Sequence, residues 1–308
     1  MRQSIWDDIK MRIIHSNNSL IHLIAINVAA FLVTSIPIGL SFLFFQSASE
    51  NPVYGFVSNW LYLPGQLLDF ATRPWTLITH FFLHSSFSFY HIFFNMMVFW
   101  MFGRIYHNLM GNARTVQLFV LAGMAGGLAF ILANPIFPTL ADHKPLVGAS
   151  GAVMGFVVAA TALSPLMTVR LMFFGEIKLW MIAATLVIMD IIFIAGNTGG
   201  RIAHLAGGFT GYLFVTQLRK GNDFGAWISK ALLVIQTFFK PKPKSKFKVH
   251  SNPKTSNTSR GSSNQSSSFT NAVSQEEIDA ILDKIAKSGY DSLSKREKDI
   301  LFKVSDKN

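Results

Sequence analysis

Long apolar runs separated by short polar breaks dominate the chain. They occupy about residues 20–46, 86–103, 115–137, 150–167, 177–196 and 202–218, each close to the roughly 20 apolar residues a helix needs to cross hydrocarbon. Helices are the expected form, because a lipid-exposed backbone must satisfy its polar groups within the segment. Six spans place both ends of the bundle on the same side. Between the first two runs, the stretch from Gln46 to His84 is long yet rich in Trp60, Tyr62, Pro64, Phe70, Pro74 and Trp75. Rings with one polar edge favour the membrane interface, so this loop is expected to lie there.

After the last run the pattern changes twice. Residues 221–240 set Trp227, Ile228, Leu232, Leu233, Ile235, Phe238 and Phe239 between lysines, which predicts an amphipathic helix at the interface, with a short seventh span as the alternative. Residues 241–273 turn to Lys/Pro and then Ser/Asn/Thr, too polar to bury a core, and read as a disordered linker. Residues 274–308 become periodic again. Ser274 and Glu277 have capping-box spacing ahead of Ile278, Ile281, Leu282 and Ile285, Gly289 stops that pattern, and Ser294 and Glu297 open a second one through Ile300, Leu301 and Val304. A small soluble helical hairpin is expected, a docking module for an unknown partner with no visible chemistry of its own.

Composition sharpens the membrane reading. Half of the 308 residues are hydrophobic and only 14% are charged, against about 25% in an average soluble domain. The net charge of +11 is uneven: from Arg219 onward there are 17 basic and 9 acidic residues, so most of the excess sits in the tail. The apolar region has no basic face interleaved with aromatics, which argues against a nucleic-acid partner. With no cysteine, a disulfide framework, a thiolate nucleophile and a Cys-ligated metal are all ruled out. Residues 1–19 mix Asp7, Asp8, Lys10 and Arg12 with few apolar residues and do not look like a cleaved leader. Arg2, Lys10, Arg12, Arg104, Arg114, Arg170 and Lys178 fall on one set of loops, and Arg73, Lys144 and Arg201 on the other. That bias, with the basic tail, places both termini in the cytoplasm.

Three polar groups interrupt the runs, and polar residues at membrane depth are costly enough to need a reason. Gly148-Ala149-Ser150-Gly151 opens the fourth run, where Gly151 and Gly155 form a small-xxx-small pair that admits a close neighbour. Ala203-His204 in the sixth run is followed by Gly207 and Gly211, again four apart. Two glycine-faced helices can press together and carry His204 to the Ser150 hydroxyl, the arrangement that activates a weak nucleophile. His91 and Asn95 in the second run are i,i+4, so both side chains aim one way, as two donors for a developing oxyanion must. Each piece alone is weak: a lone Gly-x-Ser-Gly more often marks a helix start or tight packing, and a lone histidine or asparagine an interior hydrogen bond. The combination, on three different spans, is specific.

These motifs resemble the rhomboid family over roughly residues 70–218: Arg73-Pro74-Trp75-Thr76-Leu77-Ile78-Thr79-His80, Phe82-Leu83-His84, the His91 and Asn95 pair, Gly148 to Gly151, and Ala-His-x-x-Gly-x-x-x-Gly from Ala203 to Gly211. The resemblance implies an all-α polytopic bundle of six transmembrane helices in a bacterial plasma membrane, and a serine-type endopeptidase with a Ser150–His204 dyad and no third acid. It further implies an oxyanion hole of His91, Asn95 and the Ser150 N–H, a membrane-embedded first loop, a fifth span that gates entry, and transmembrane protein substrates. No metal or organic cofactor is implied. Two positions depart from the family. Met154 stands where many members stack an aromatic ring on the catalytic histidine; a thioether also contacts a ring favourably. His107, beside Gly103, Arg104 and Gly111, replaces a glutamate that often follows the second span.

Other polar residues carry weaker expectations. Asp190 is the one charge deep within a run. A carboxylate could hold the His204 tautomer, but the family works without one, so a structural hydrogen bond is the expected role. His80 and His84 have i,i+4 spacing as in zinc helices, yet no glutamate between them completes a metalloprotease motif, and a structural role is expected. His107 and His143 are expected in solvated loops. Two other classes remain open: a catalytically silent rhomboid-like protein that escorts membrane clients, which predicts loss of the serine or histidine, and a transporter, which predicts pathway charges or paired broken helices in symmetrical halves.

Overall fold

The computed structural model describes residues 16–45, 47–140, 144–171, 175–239 and 275–305. It divides into two compact units, Met1–Pro243 and Lys244–Asn308. Among the described residues the first unit is helical apart from one short strand pair. The expected segment 1–19 lies largely outside the described residues, as do the linker 241–273, His143 and Ser274.

The first apolar run forms α1, Ser19–Ser41, whose first amides are capped by the Asn18 side chain (3.0 Å to the Leu20 N–H). It ends five residues before the expected boundary, where the Ser41 hydroxyl lies 2.7 Å from the Ile38 carbonyl and 2.9 Å from the Asn51 side chain. The aromatic loop then builds three short helices: α2, Pro52–Leu61; α3, Leu67–Thr72; and α4, Thr76–Thr79. Its rings pack on one another instead of dispersing. Trp60 and Trp75 stack at 6.0 Å with 2° between their planes, and the Trp75 indole N–H donates to the Trp60 carbonyl at 2.8 Å.

The second and third runs form α5, Phe89–Ala133. A polar loop is expected between them, but the backbone is helical through Arg104 and His107 and breaks only at Gly111, whose φ of 79° is open to glycine and strained for other residues. His107 is therefore not a solvated loop residue: its Nδ1 lies 3.1 Å from the Thr115 hydroxyl across that break. The fourth run is α6, Ser150–Leu163, the most enclosed helix, with Gly151 to Val157, Ala159 and Ala160 all buried. Phe156 of α6 meets Phe99 (4.9 Å) and Tyr106 (5.2 Å) of α5, and Phe81 and Phe119 complete an aromatic core.

After α6 the expected span does not continue to 167. Thr168–Leu171 pairs antiparallel with Gly175–Lys178 as β1 and β2, a hairpin lying mainly in the break between the fourth and fifth runs. The fifth and sixth runs follow as α7, Leu179–Ile192, and α8, Thr198–Arg219, the latter starting earlier than expected because the Asn197 side chain caps the Gly200 N–H at 3.2 Å. The Arg219 guanidinium donates to the Ala162 carbonyl (2.8 Å), tying the end of α8 to the end of α6. Residues 226–239 form α9, Ala226–Phe239, with Trp227, Leu233, Ile235 and Phe238 exposed.

Two of these helices, Ser19–Ser41 and Phe89–Ala133, are long and apolar enough to cross a membrane; α6 and α7 are apolar but have 14 residues each, about 21 Å of helix. The second unit is a hairpin of α10, Gln275–Ser288, and α11, Lys295–Ser305, around a turn at Gly289 to Ser292. The capping box read from Ser294 and Glu297 is present, with the Ser294 N–H donating to Glu297 at 2.7 Å. That backbone N–H, followed by the Lys284 ammonium at 3.0 Å, holds the Glu297 carboxyl down to about 2.

Candidate active site

The site forms where α5, α6, α7 and α8 meet, and the contact between α6 and α8 sets its width. Glycines line both sides of that contact. A side chain on Gly151 would meet the Ala203 carbonyl at 3.1 Å, and one on Gly155 the Gly207 carbonyl at 3.2 Å. On α8, Gly207 and Gly211 face the carbonyls of Gly151 and Gly155 in turn. The two pairs read from the sequence, Gly151 with Gly155 and Gly207 with Gly211, thus let the two backbones touch.

Ser150 is the first residue of α6, and the approach to it is built by Gly148. There φ is +134°, and an added Cβ would lie 2.9 Å from His91 Cε1 and 3.6 Å from the Ser150 Oγ. The left-handed turn therefore slots bare backbone between the His91 ring and the serine hydroxyl. That turn is tied down twice: the Gly148 N–H donates to the His80 carbonyl (3.0 Å), and Leu146 exchanges both backbone hydrogen bonds with Leu63 (2.8 and 3.0 Å). His80 itself is buried, its Nδ1 2.9 Å from the Thr76 carbonyl, while His84 is buried with its ring edge-on to His91 at 5.4 Å.

A cleft of about 770 Å³ opens over these groups. Ser150, His204, His91, Asn95 and Met154 all line it, so residues read from three separate runs converge on one cavity. Asn95 donates its amide to the His91 carbonyl (2.8 Å), one turn back on its own helix. Met154 is buried and sits one turn after Ser150.

The cleft also holds groups given lesser roles by sequence reasoning. Asp190 of α7 is buried, and its carboxylate lies 3.0 and 3.1 Å from His204 Nδ1 and 2.8 Å from the Arg201 guanidinium. Arg201 and Lys144, both lining residues, register in the sequence only as loop charges. The expected hydrogen bond at Asp190 is present, but its partner is the candidate base itself.

Comparison with known proteins matches the model of the Rhomboid domain to residues 71–221, a segment that contains every residue of the cleft named above. The chain carries a Rhomboid domain over these residues. It is 28% identical over 163 residues to the Rhomboid protease GluP of Bacillus subtilis, covering 52% of this chain and 30% of that protein. It is also 28% identical over 154 residues to Rhomboid protein 1, mitochondrial, of Saccharomyces cerevisiae, covering 49% of this chain and 38% of that one. The chain thus spans about a third of the length of these curated relatives. Residues 270–307, the helical hairpin, match a family of unknown function, DUF6576, so the rhomboid domain carries an appendage with its own family signature. Rhomboid homologues are integral membrane proteins, in keeping with the apolar helices of the first unit.

Proposed function

We propose that this rhomboid is an intramembrane serine endopeptidase that cleaves membrane proteins within or beside their transmembrane segments. The observation that carries the reading is the convergence of Ser150, His204, His91 and Asn95 on one cleft inside the matched domain. Ser150 attacks the scissile carbonyl while His204 takes its proton; His91, Asn95 and the Ser150 N–H steady the oxyanion, and water releases the acyl-enzyme. The Asn95 amide has two N–H donors, so it can keep its bond to the His91 carbonyl and offer the second to the oxyanion. Side chains and backbone do all of this chemistry, without a metal or organic cofactor.

The six crossings would be α1, the two halves of α5 on either side of Gly111, α6, α7 and α8, with both termini cytoplasmic in a bacterial inner membrane. The short α6 and α7 fit such a role if they sit inside the bundle or where the bilayer is locally thin. α2 to α4 and α9 would lie at the interface, and substrates would enter beside α7. An intact helix hides its carbonyls, so substrates should carry Gly, Pro or polar residues near the cut. The C-terminal hairpin would dock a partner.

The test is cleavage of a single-span substrate by purified protein in liposomes. Wild type should cut, and Ser150→Ala and His204→Ala should each lose roughly 10³-fold or more in rate. Cleavage surviving in Ser150→Ala would sink the assignment. Binding without cleavage by wild type, together with no labelling by a serine-reactive probe, would favour a silent client-binding protein.

A further inference from the structure

Asp190 stands out because nothing in the dyad chemistry requires it, and its position is expensive. A carboxylate in an apolar helix costs several kcal/mol unless it is paired and hydrogen-bonded. Both conditions are met, and by specific groups. Arg201 lies 2.8 Å from Oδ1 and also donates to the Met189 carbonyl at 3.2 Å, so one guanidinium grips the carboxylate and the backbone of α7 together. His204 Nδ1 sits within 3.1 Å of both carboxylate oxygens. A carboxylate paired with arginine can only accept, so the proton of a neutral His204 ring must be on Nδ1. Nε2 is then left bare, which is the nitrogen a general base needs free.

We propose that Asp190 is a positioning residue for His204, one that fixes the ring's tautomer and orientation and balances the imidazolium formed when Ser150 is deprotonated, with Arg201 holding the carboxylate in place. This inference rests on the Ser150–His204 reading. It adds Asp190 of α7 to a site whose Ser150 and His204 stand on α6 and α8, with Asp190 acting only through Nδ1 of His204. No proton moves to Asp190: it leaves Ser150 for Nε2 and later goes to the leaving amine, while Nδ1–H stays bonded to the carboxylate throughout.

The experiment uses the full chain in liposomes with the same single-span substrate, comparing wild type with Asp190→Asn, Asp190→Glu and Arg201→Gln. Asp190→Asn should lower kcat by about 10²–10⁴-fold, because its amide can donate to Nδ1 and favour the wrong tautomer, while KM changes less than about threefold. Asp190→Glu should recover most of that loss, and Arg201→Gln should fall between. A kcat within threefold of wild type in Asp190→Asn, or a rise in KM alone, would overturn the proposal. A second readout does not depend on proteolysis: ring-nitrogen NMR of ¹⁵N-histidine-labelled Ser150→Ala protein in micelles. His204 should show a protonated Nδ1 and a bare Nε2 with Asp190 present, and should lose that pattern once Asp190→Asn is added to the same chain. The opposite tautomer in the Ser150→Ala chain would refute the proposal even if no substrate were cut. Absence of cleavage beside the expected spectrum would count against the protease reading and leave the Asp190–His204 assignment standing.

Discussion

The helices that flank the cleft are held in two different ways. α6 and α8 touch backbone to backbone, through Gly151 and Gly155 on one side and Gly207 and Gly211 on the other. α7 shows a different attachment. Only Leu179, Ala183 and Asp190 of its 14 residues are buried, and Trp180, Met181, Ile188, Ile191 and Ile192 are exposed. Ser150 and His204 thus ride on a close-packed pair, whereas the carboxylate that meets His204 arrives on a weakly packed helix. Close backbone contact fixes a distance that must not vary; a polar tether on a loose helix fixes an orientation and leaves the helix free to move.

The largest expected effect strikes the close-packed pair. Gly207→Leu would drive a side chain into the Gly151 carbonyl, an obstacle that no rotamer change relieves, so the loss should exceed the roughly 1–3 kcal/mol of ordinary overpacking. Little folded protein should be recovered, as read by thermal unfolding in detergent; a Gly207→Leu chain as stable as wild type would break the comparison. Next comes Phe156→Ala in α6, which opens a cavity between Phe99 and Tyr106 and should cost about 3–5 kcal/mol. Ile191→Ala on the outer face of α7 should cost no more than about 0.5 kcal/mol, because its side chain is 55% exposed. Amide hydrogen exchange would sharpen the contrast further: α7 should exchange before α6 and α8, since few buried apolar contacts oppose its local opening. Equal protection in all three would mean that α7 is held by more than its three buried residues.

The smallest effect lies in the hairpin and depends on pH. The depressed Glu297 carboxyl contributes stability above its ordinary range near 4.5, and that contribution is lost as pH falls toward 2. Exchange at the start of α11 should quicken across that window in wild type and stay flat in Glu297→Gln. Such a change would leave exchange in α6, α7 and α8 unaltered if the hairpin is a separate unit.

Much of this arrangement was legible in the sequence because it is local. Ser150 with Gly148 and Gly151, His204 with Gly207 and Gly211, and His91 with Asn95 each lie within a few residues on one helix, where spacing dictates direction. What stayed hidden depends on register between helices. Asp190 and His204 are 14 residues apart across a turn, and nothing in either run states that α7 will slide its carboxylate against Nδ1. The strand pair at 168–178 falls mainly in the break between two runs, where Arg170 and Lys178 look like a loop, and the continuity of α5 through Arg104 and His107 was masked by charges of the same kind. Composition signals how wet a segment is; it does not give the path of the backbone between two buried stretches.

The Leu63–Leu146 bridge bears on the order in which the molecule is made. It joins positions 83 residues apart in the chain, and it steadies the segment leading to Ser150. A ribosome delivers Leu63 long before its partner, and His204 only after another 54 residues beyond Ser150. The cleft is therefore completed only when α8 has left the ribosome, so the growing chain brings Ser150 and His204 together late in its synthesis.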